Sequence, residues 1–273
     1  ILLDPVFIFT FQMGIKGAAV ATAFSQLISF FILLSYFVMH KTTTRLGIHR
    51  VSKNPGTYFQ VVKNGMPSFS RQGLASIASI LLNNQAAIYG DAAVAAMAIV
   101  SKIFMMIFSV MIGFGQGYQP VVGFNYGAGI MERVKEAMKF TLKTGIIGMS
   151  IAAAGLFLWA PNLMRMFISD DPAVMEIGTM ALRAQAVSMP LIPIGTVANM
   201  TFQSIGKAWR ATIMSSMRQG IFFIPLIFIL PAVFELWGVV TTQAASDVLT
   251  AFACTPFLWK FYRNIKEEKK SVR

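Results

Sequence analysis

Charged and amide side chains embedded in long apolar stretches are the residues of this sequence best placed to do chemistry. A charge in such surroundings is costly and persists only with a partner or a task. Five stand out: Arg71, Lys102, Arg183, Arg218 and Asp247. Counted along their apolar runs, Lys102 and Asp247 fall near the middle and Arg218 somewhat shallower. Arg71 and Arg183 lie close enough to an end to reach outward. Asp247 is the one carboxylate well inside a run, and Lys102 or Arg218 is its expected partner. That pairing either ties helices together or handles a proton or cation. A second set is uncharged: Asn83, Asn84 and Gln85 in one run, and Gln185, Ser188, Asn199 and Gln203 in another. Such groups either bridge helices or line a wet cavity.

Other chemistry is poorly provided for. Cys254 is the one cysteine, so no intrachain disulfide framework is possible. With His40 and His49 as the remaining soft ligands, a zinc site of the usual type is not expected, and no metal or organic cofactor is. No His-Glu-x-x-His or comparable nucleophile and base arrangement occurs, which argues against an enzyme. A retinal protein would need a lysine in the last apolar run, which has Asp247 and no Lys before Lys260. The net charge of +12 would suggest nucleic acid in a soluble protein. Here the basic residues sit mostly at the ends of apolar runs, which is the pattern of membrane topology, with no nucleic acid as partner.

The elements that must position these groups are membrane helices. Hydrophobic residues make up 56% of the 273 and charged ones only 12%, far from the roughly 25% charged of soluble domains. A bilayer core needs roughly 20 apolar residues as helix. Seven runs qualify, at about 17–39, 66–89, 93–117, 144–163, 178–204, 211–231 and 237–259, and residues 1–11 read as the tail of a further, cut span. The expected fold class is therefore all-α, a polytopic membrane bundle of seven transmembrane helices. Within 130–142, Ile130, Val134 and Met138 form one stripe, as in a helix lying on the membrane surface or a plain solvated one.

Lys41, Arg45, Arg50, Lys53 and Lys63 fall in the loop 40–64, and Arg133, Lys135, Lys139 and Lys143 follow the third span. Lys207 and Arg210 follow the fifth, and six basic residues from Lys260 to Arg273 close the chain, against Lys16 and Arg165 on the other face. The positive side is cytoplasmic, which places the C-terminus there and the protein in the cell inner (plasma) membrane. The first span also echoes the last at an offset of 221 residues: Gly17 meets Gly238, Ala23 meets Ala244, Ser25 meets Ser246, Phe31 meets Phe252, and Gln26 falls opposite Asp247. Two copies entering the membrane in the same direction are a known transporter plan.

Four motifs carry a family resemblance. Gly113-Phe-Gly-Gln-Gly-Tyr-Gln-Pro120, continuing to Ala128, resembles the signature of the multidrug and toxic-compound extrusion (MATE) family. Residues Leu3 to Phe9, Gly17 to Thr22 with Ser25 and Gln26, and Gly206-Lys-Ala208 resemble further landmarks in family order. Gly113, Gly115, Gly117 and Gly123 permit close backbone approach or a loosened helix, and Pro120 removes a ladder donor, so Gly113, Gly115, Gln116, Gly117, Gln119 and Pro120 are expected to interrupt the helix, as a joint that flexes or as a plain helix exit.

The resemblance implies two six-helix lobes facing a central cavity. On that map residues 1–39 end the first lobe, 40–64 form a cytoplasmic inter-lobe linker, 65–262 are the second lobe and 263–273 a cytoplasmic tail. The chain is then a C-terminal fragment that should not transport by itself. The full-length protein is expected to be a monomeric antiporter, exchanging H+ or Na+ for amphipathic or cationic drugs. A lipid-linked substrate flippase of related architecture is the alternative. Many relatives carry a coupling carboxylate in the first helix of the second lobe, and residues 66–89 have none, so coupling is expected to rest on a first-lobe acid. Met105, Met106, Met111, Met189 and Met200 are either adaptable cavity walls or ordinary packing.

Overall fold

The computed structural model describes residues 6–39, 54–168 and 171–271, in two compact units, 1–57 and 58–273. In the first unit a π-helical turn, Val6–Thr10, precedes helix α1, Gly14–Val38. The backbone turns left-handed at Gln12, and a Cβ on Gly17 would press on the Phe7 carbonyl, so glycine lets the two pieces close on one another. Leu27, Phe30, Phe31, Leu33 and Tyr36 all point outward from α1, as in a helix that meets lipid or other apolar surface rather than water.

In the second unit α2 spans Pro55–Ala87, α3 Asp91–Gly127 and α4 Met131–Arg165. Helix α5, Pro172–Ser188, is capped by the Asp171 carboxylate on the Ala173 and Val174 N–H groups. It runs through a 3-10 turn, Met189–Leu191, into α6, Ile192–Ser204. Helix α7, Ala208–Ser216, passes through a π turn, Met217–Ile221, into α8, Phe223–Ser271. Glu235, at φ 51°, divides α8 into two helices. Just beyond it a Cβ on Gly238 would overlap the Leu230 carbonyl. The left-handed residue followed by a glycine against a preceding carbonyl thus recurs at Gln12/Gly17 and Glu235/Gly238, giving the sequence echo a local structural counterpart.

Four stretches among the described residues are long and apolar enough to cross a membrane: Gly14–Val38, Asp91–Gly127, Met131–Arg165 and Ala208–Ile265. The seven expected spans differ from these for visible reasons. Helix α2 is diluted by Lys63, Arg71 and three adjacent amides, the stretch 178–204 is split by the 3-10 turn, and the last two spans join across Glu235. Within the expected linker, 40–53 lies outside the described residues, while Pro55 to Asn64 already belongs to α2. Residues 1–5 of the expected cut span also lie outside them. The stripe at 130–142, expected on a membrane-surface helix or a solvated one, is neither: it is the start of α4, whose Val134 and Met138 are buried in the protein core.

Glycine and methionine set the helix spacing. A Cβ on Gly115 would overlap Met200 Sδ where α3 meets α6, and one on Gly178 would overlap the Met164 side chain where α5 meets α4. Met111, Met189 and Met200 are buried packing residues, whereas Met105 and Met106 are exposed. Outer faces carry Phe124, Phe140, Trp159, Trp209, Phe252 and Trp259, while Gln185, Ser188, Asn199, Thr201, Ser246, Asp247 and Thr250 are buried. Large apolar side chains on the outside, with the few polar groups drawn into an otherwise hydrophobic core, are what a hydrocarbon solvent selects.

Candidate functional site

Helix α2 packs on the bundle through side chains rather than close backbone approach: Ala78, Leu82 and Ala86 are buried in the core. It also meets the bundle where Leu74 packs on Gly220 and where Ser68 accepts a hydrogen bond from Gln203. The space left between α2, α3, α6 and α8 is a cavity of about 600 Å³, within the range of small-molecule sites. Phe104, Phe108, Ile112, Met214 and Phe223 give it an apolar wall, and Arg71, Ser101, Gln116, Gln185, Asn199, Arg218, Gln243 and Asp247 supply the polar groups.

Asp247 is the centre of that polar set, and its carboxylate accepts four hydrogen bonds. Arg218 donates from Nε to Oδ1 at 2.5 Å and from Nη2 to Oδ2 at 3.4 Å. Gln185 donates to Oδ2 at 2.8 Å and Gln243 to Oδ1 at 3.2 Å. The Asp247 side chain has no exposed surface, so these donors replace the water it has lost. The Arg218 guanidinium lies on the Phe108 ring, 4.3 Å from its centroid, and 5.2 Å from that of Phe104. The π turn that carries Arg218 is held by Ser246, whose hydroxyl donates to the Arg218 carbonyl. Ser188 Oγ accepts from Gln185 and donates to the Gln185 carbonyl, which fixes the amide.

Arg218, and not Lys102, is therefore the partner of Asp247. Lys102 is exposed on α3, lines no part of the cavity and makes no ion pair with a described residue. Gln185, Asn199, Arg218 and Asp247 come together at the cavity, where Asn199 is buried with its amide on the Ala211 carbonyl at 2.7 Å. Asn83, Asn84 and Gln85 do not join them: they lie towards the far end of α2 and line no cavity.

The helix interruption expected at Gly113, Gly115, Gln116, Gly117, Gln119 and Pro120 is absent, since α3 runs unbroken to Gly127. Pro120 withdraws one ladder donor, and two links to α6 span the same turns. Tyr118 Oη and Thr201 Oγ1 lie 2.7 Å apart, and Gln119 donates to Gln203 at 3.0 Å. The signature welds helices together here. Arg71, expected to reach outward, instead lines the cavity, and Ser101 and Gln243 were not singled out from sequence. Their signal was polar side chains recurring at helical spacing, as in Gln243, Asp247 and Thr250.

Apolar outer faces on helices long and apolar enough to cross a membrane make the chain a multi-pass membrane protein. Residues 67–229, more than half of the chain, match the MatE family, and the chain belongs to it. It is 27% identical over 253 residues to the multidrug export protein MepA of Staphylococcus aureus (strain NCTC 8325 / PS 47), covering 93% of the chain and 55% of that protein. It is 26% identical to MepA of Staphylococcus haemolyticus (strain JCSC1435), covering 60% of that protein. The chain thus spans little more than half the length of these relatives. A solved structure of a multidrug resistance MATE family transporter of the MOP superfamily, in its outward-facing conformation, superposes with a TM-score of 0.87 at 23% identity, over 97% of this chain and 60% of that one. At that identity the likeness is one of fold.

Proposed function

We propose that this chain is the second lobe, with one helix of the first, of a secondary transporter that exports amphipathic drugs across the cell membrane in exchange for protons or sodium. The observation that carries the reading is the 600 Å³ cavity, apolar-walled with a few converging polar groups, in a member of a transporter family. Seven spans fit the helices: α1, α2, α3, α4, the α5–α6 rod, α7 with the first part of α8, and the remainder of α8. On this reading 40–64 links the lobes, 65–262 forms the second lobe, 263–273 is a tail, and the C-terminus faces the cytoplasm of a monomer in the plasma membrane. Rocking of the lobes about a mid-membrane site would provide alternating access.

Asp247 serves here as the anchor of a structural pair, because four donors already satisfy it. Coupling falls to an acid elsewhere in the full-length protein, since α2 carries no carboxylate. The test is drug sensitivity of efflux-deficient cells expressing the full-length gene. Raised tolerance to several amphipathic dyes or antibiotics is expected, and unchanged sensitivity to all of them would sink the efflux reading. Asp247→Asn that folds normally yet transports nothing would return Asp247 to the coupling mechanism.

A further inference from the structure

The cavity wall contains two guanidinium groups, Arg71 and Arg218, and one carboxylate, Asp247. Two kinds of group select an organic cation in such a place, a carboxylate and an aromatic face. Both are already occupied from within. Asp247 is taken by Arg218, Gln185 and Gln243, and the Phe108 and Phe104 rings lie under the Arg218 guanidinium. Arg218 thus fills the position a cationic ligand would want.

Arg71 is in the opposite state. It lines the cavity from α2, half-buried, and makes no hydrogen bond, ion pair or ring contact with any described residue. The amide chain one turn away, Ser68 to Gln203 to Gln119, is closed on itself and leaves it out. The Arg218 and Asp247 charges cancel, so the wall is left with the single positive charge of Arg71. An arginine keeps that charge at any working pH, and its planar fork fits a carboxylate with two parallel hydrogen bonds.

We propose that Arg71 anchors the carboxylate of an amphipathic substrate, whose apolar body lies against the remaining wall of the cavity. This rests on the efflux reading and adds the polarity of the substrate: an organic acid or zwitterion rather than a simple cation.

The test uses full-length protein in proteoliposomes and two dyes that share a xanthene body, fluorescein as the carboxylate and pyronin Y as the cation. Fluorescein transport is expected, with KM raised at least roughly tenfold, about 1.4 kcal/mol, by Arg71→Gln and pyronin Y unaffected. Arg71→Lys, which keeps the charge and loses the fork, should fall between. Should Arg71→Gln aggregate, Arg71→Lys decides: weaker fluorescein transport with pyronin Y unchanged supports the anchor, and no change overturns it. Pyronin Y moving without fluorescein, or both dyes falling equally in Arg71→Gln, overturns the anchor while leaving efflux standing. Fluorescein transport unchanged in Arg71→Gln, or neither dye moving while cells gain drug tolerance, overturns the anchor and leaves efflux standing; if neither dye moves and cells gain no tolerance, both readings fail together.

Discussion

Arg218 and Asp247 lie 29 positions apart in the chain, and the Arg218 Nε meets Asp247 Oδ1 at 2.5 Å with the carboxylate sealed from the surface. Arg218 sits in the π turn at Met217–Ile221 and from there meets Asp247 in the last part of α8 while its guanidinium lies on the Phe108 ring of α3. Removing one member strands the other in a medium that cannot solvate it. Asp247→Asn or Arg218→Gln should each cost on the order of 3–5 kcal/mol, the range for breaking a buried pair. The double substitution Arg218→Met with Asp247→Leu should recover much of that. Melting temperatures in detergent will decide, and a double variant less stable than both singles would contradict the pairing.

Gly115 should tolerate no side chain. Its missing Cβ is the space that Met200 Sδ fills, whereas Gly113 faces nothing within 4 Å. Gly115→Val should lose about 1–3 kcal/mol by overpacking, and Gly113→Ala should sit within about 0.5 kcal/mol of the parent. Combining Gly115→Ala with Met200→Ala should restore stability relative to Gly115→Ala alone. Equal melting temperatures for Gly113→Ala and Gly115→Val would refute the close approach of α3 and α6.

The amide chain Ser68, Gln203, Gln119 ties the earlier part of α2 to α6 and α3. Gln203→Leu leaves two polar groups unpaired in a part-buried setting, at a cost of about 1–3 kcal/mol. Ala78, Leu82 and Ala86 pack the later part of α2 into the core, so hydrogen exchange should rise first in its earlier part, around Ser68. Exchange rising evenly over all helices would argue that α2 is held by other means.

Cys254 is fully buried, so a maleimide should label the folded protein only after denaturation. In a Cys254→Ser background, Asn264→Cys should react with a membrane-impermeant maleimide from the cytoplasmic side, and Asp91→Cys from the opposite side. Both side chains are exposed. Labelling of the two from the same side would overturn the proposed topology.

Composition and spacing alone determined the solvent, the all-helical class and the list of groups worth asking about, because a membrane span must satisfy its own backbone and exclude charge. The same rule made Asp247 conspicuous. What it could not supply was the partner: by depth Lys102 matched Asp247 better than the shallower Arg218 did, yet the fold brings Arg218 and not Lys102 to the carboxylate. Nor did Gly113 to Pro120 reveal its role. Glycine and proline read locally as either close approach or a break; Met200 packed against Gly115 realises the first, and with the Tyr118 and Gln119 links to α6 the helix continues unbroken. Helix existence is a matter between a segment and its solvent, which sequence records. Which side chain faces which depends on the rotation of each helix about its axis, and that is set by packing between segments far apart in the chain.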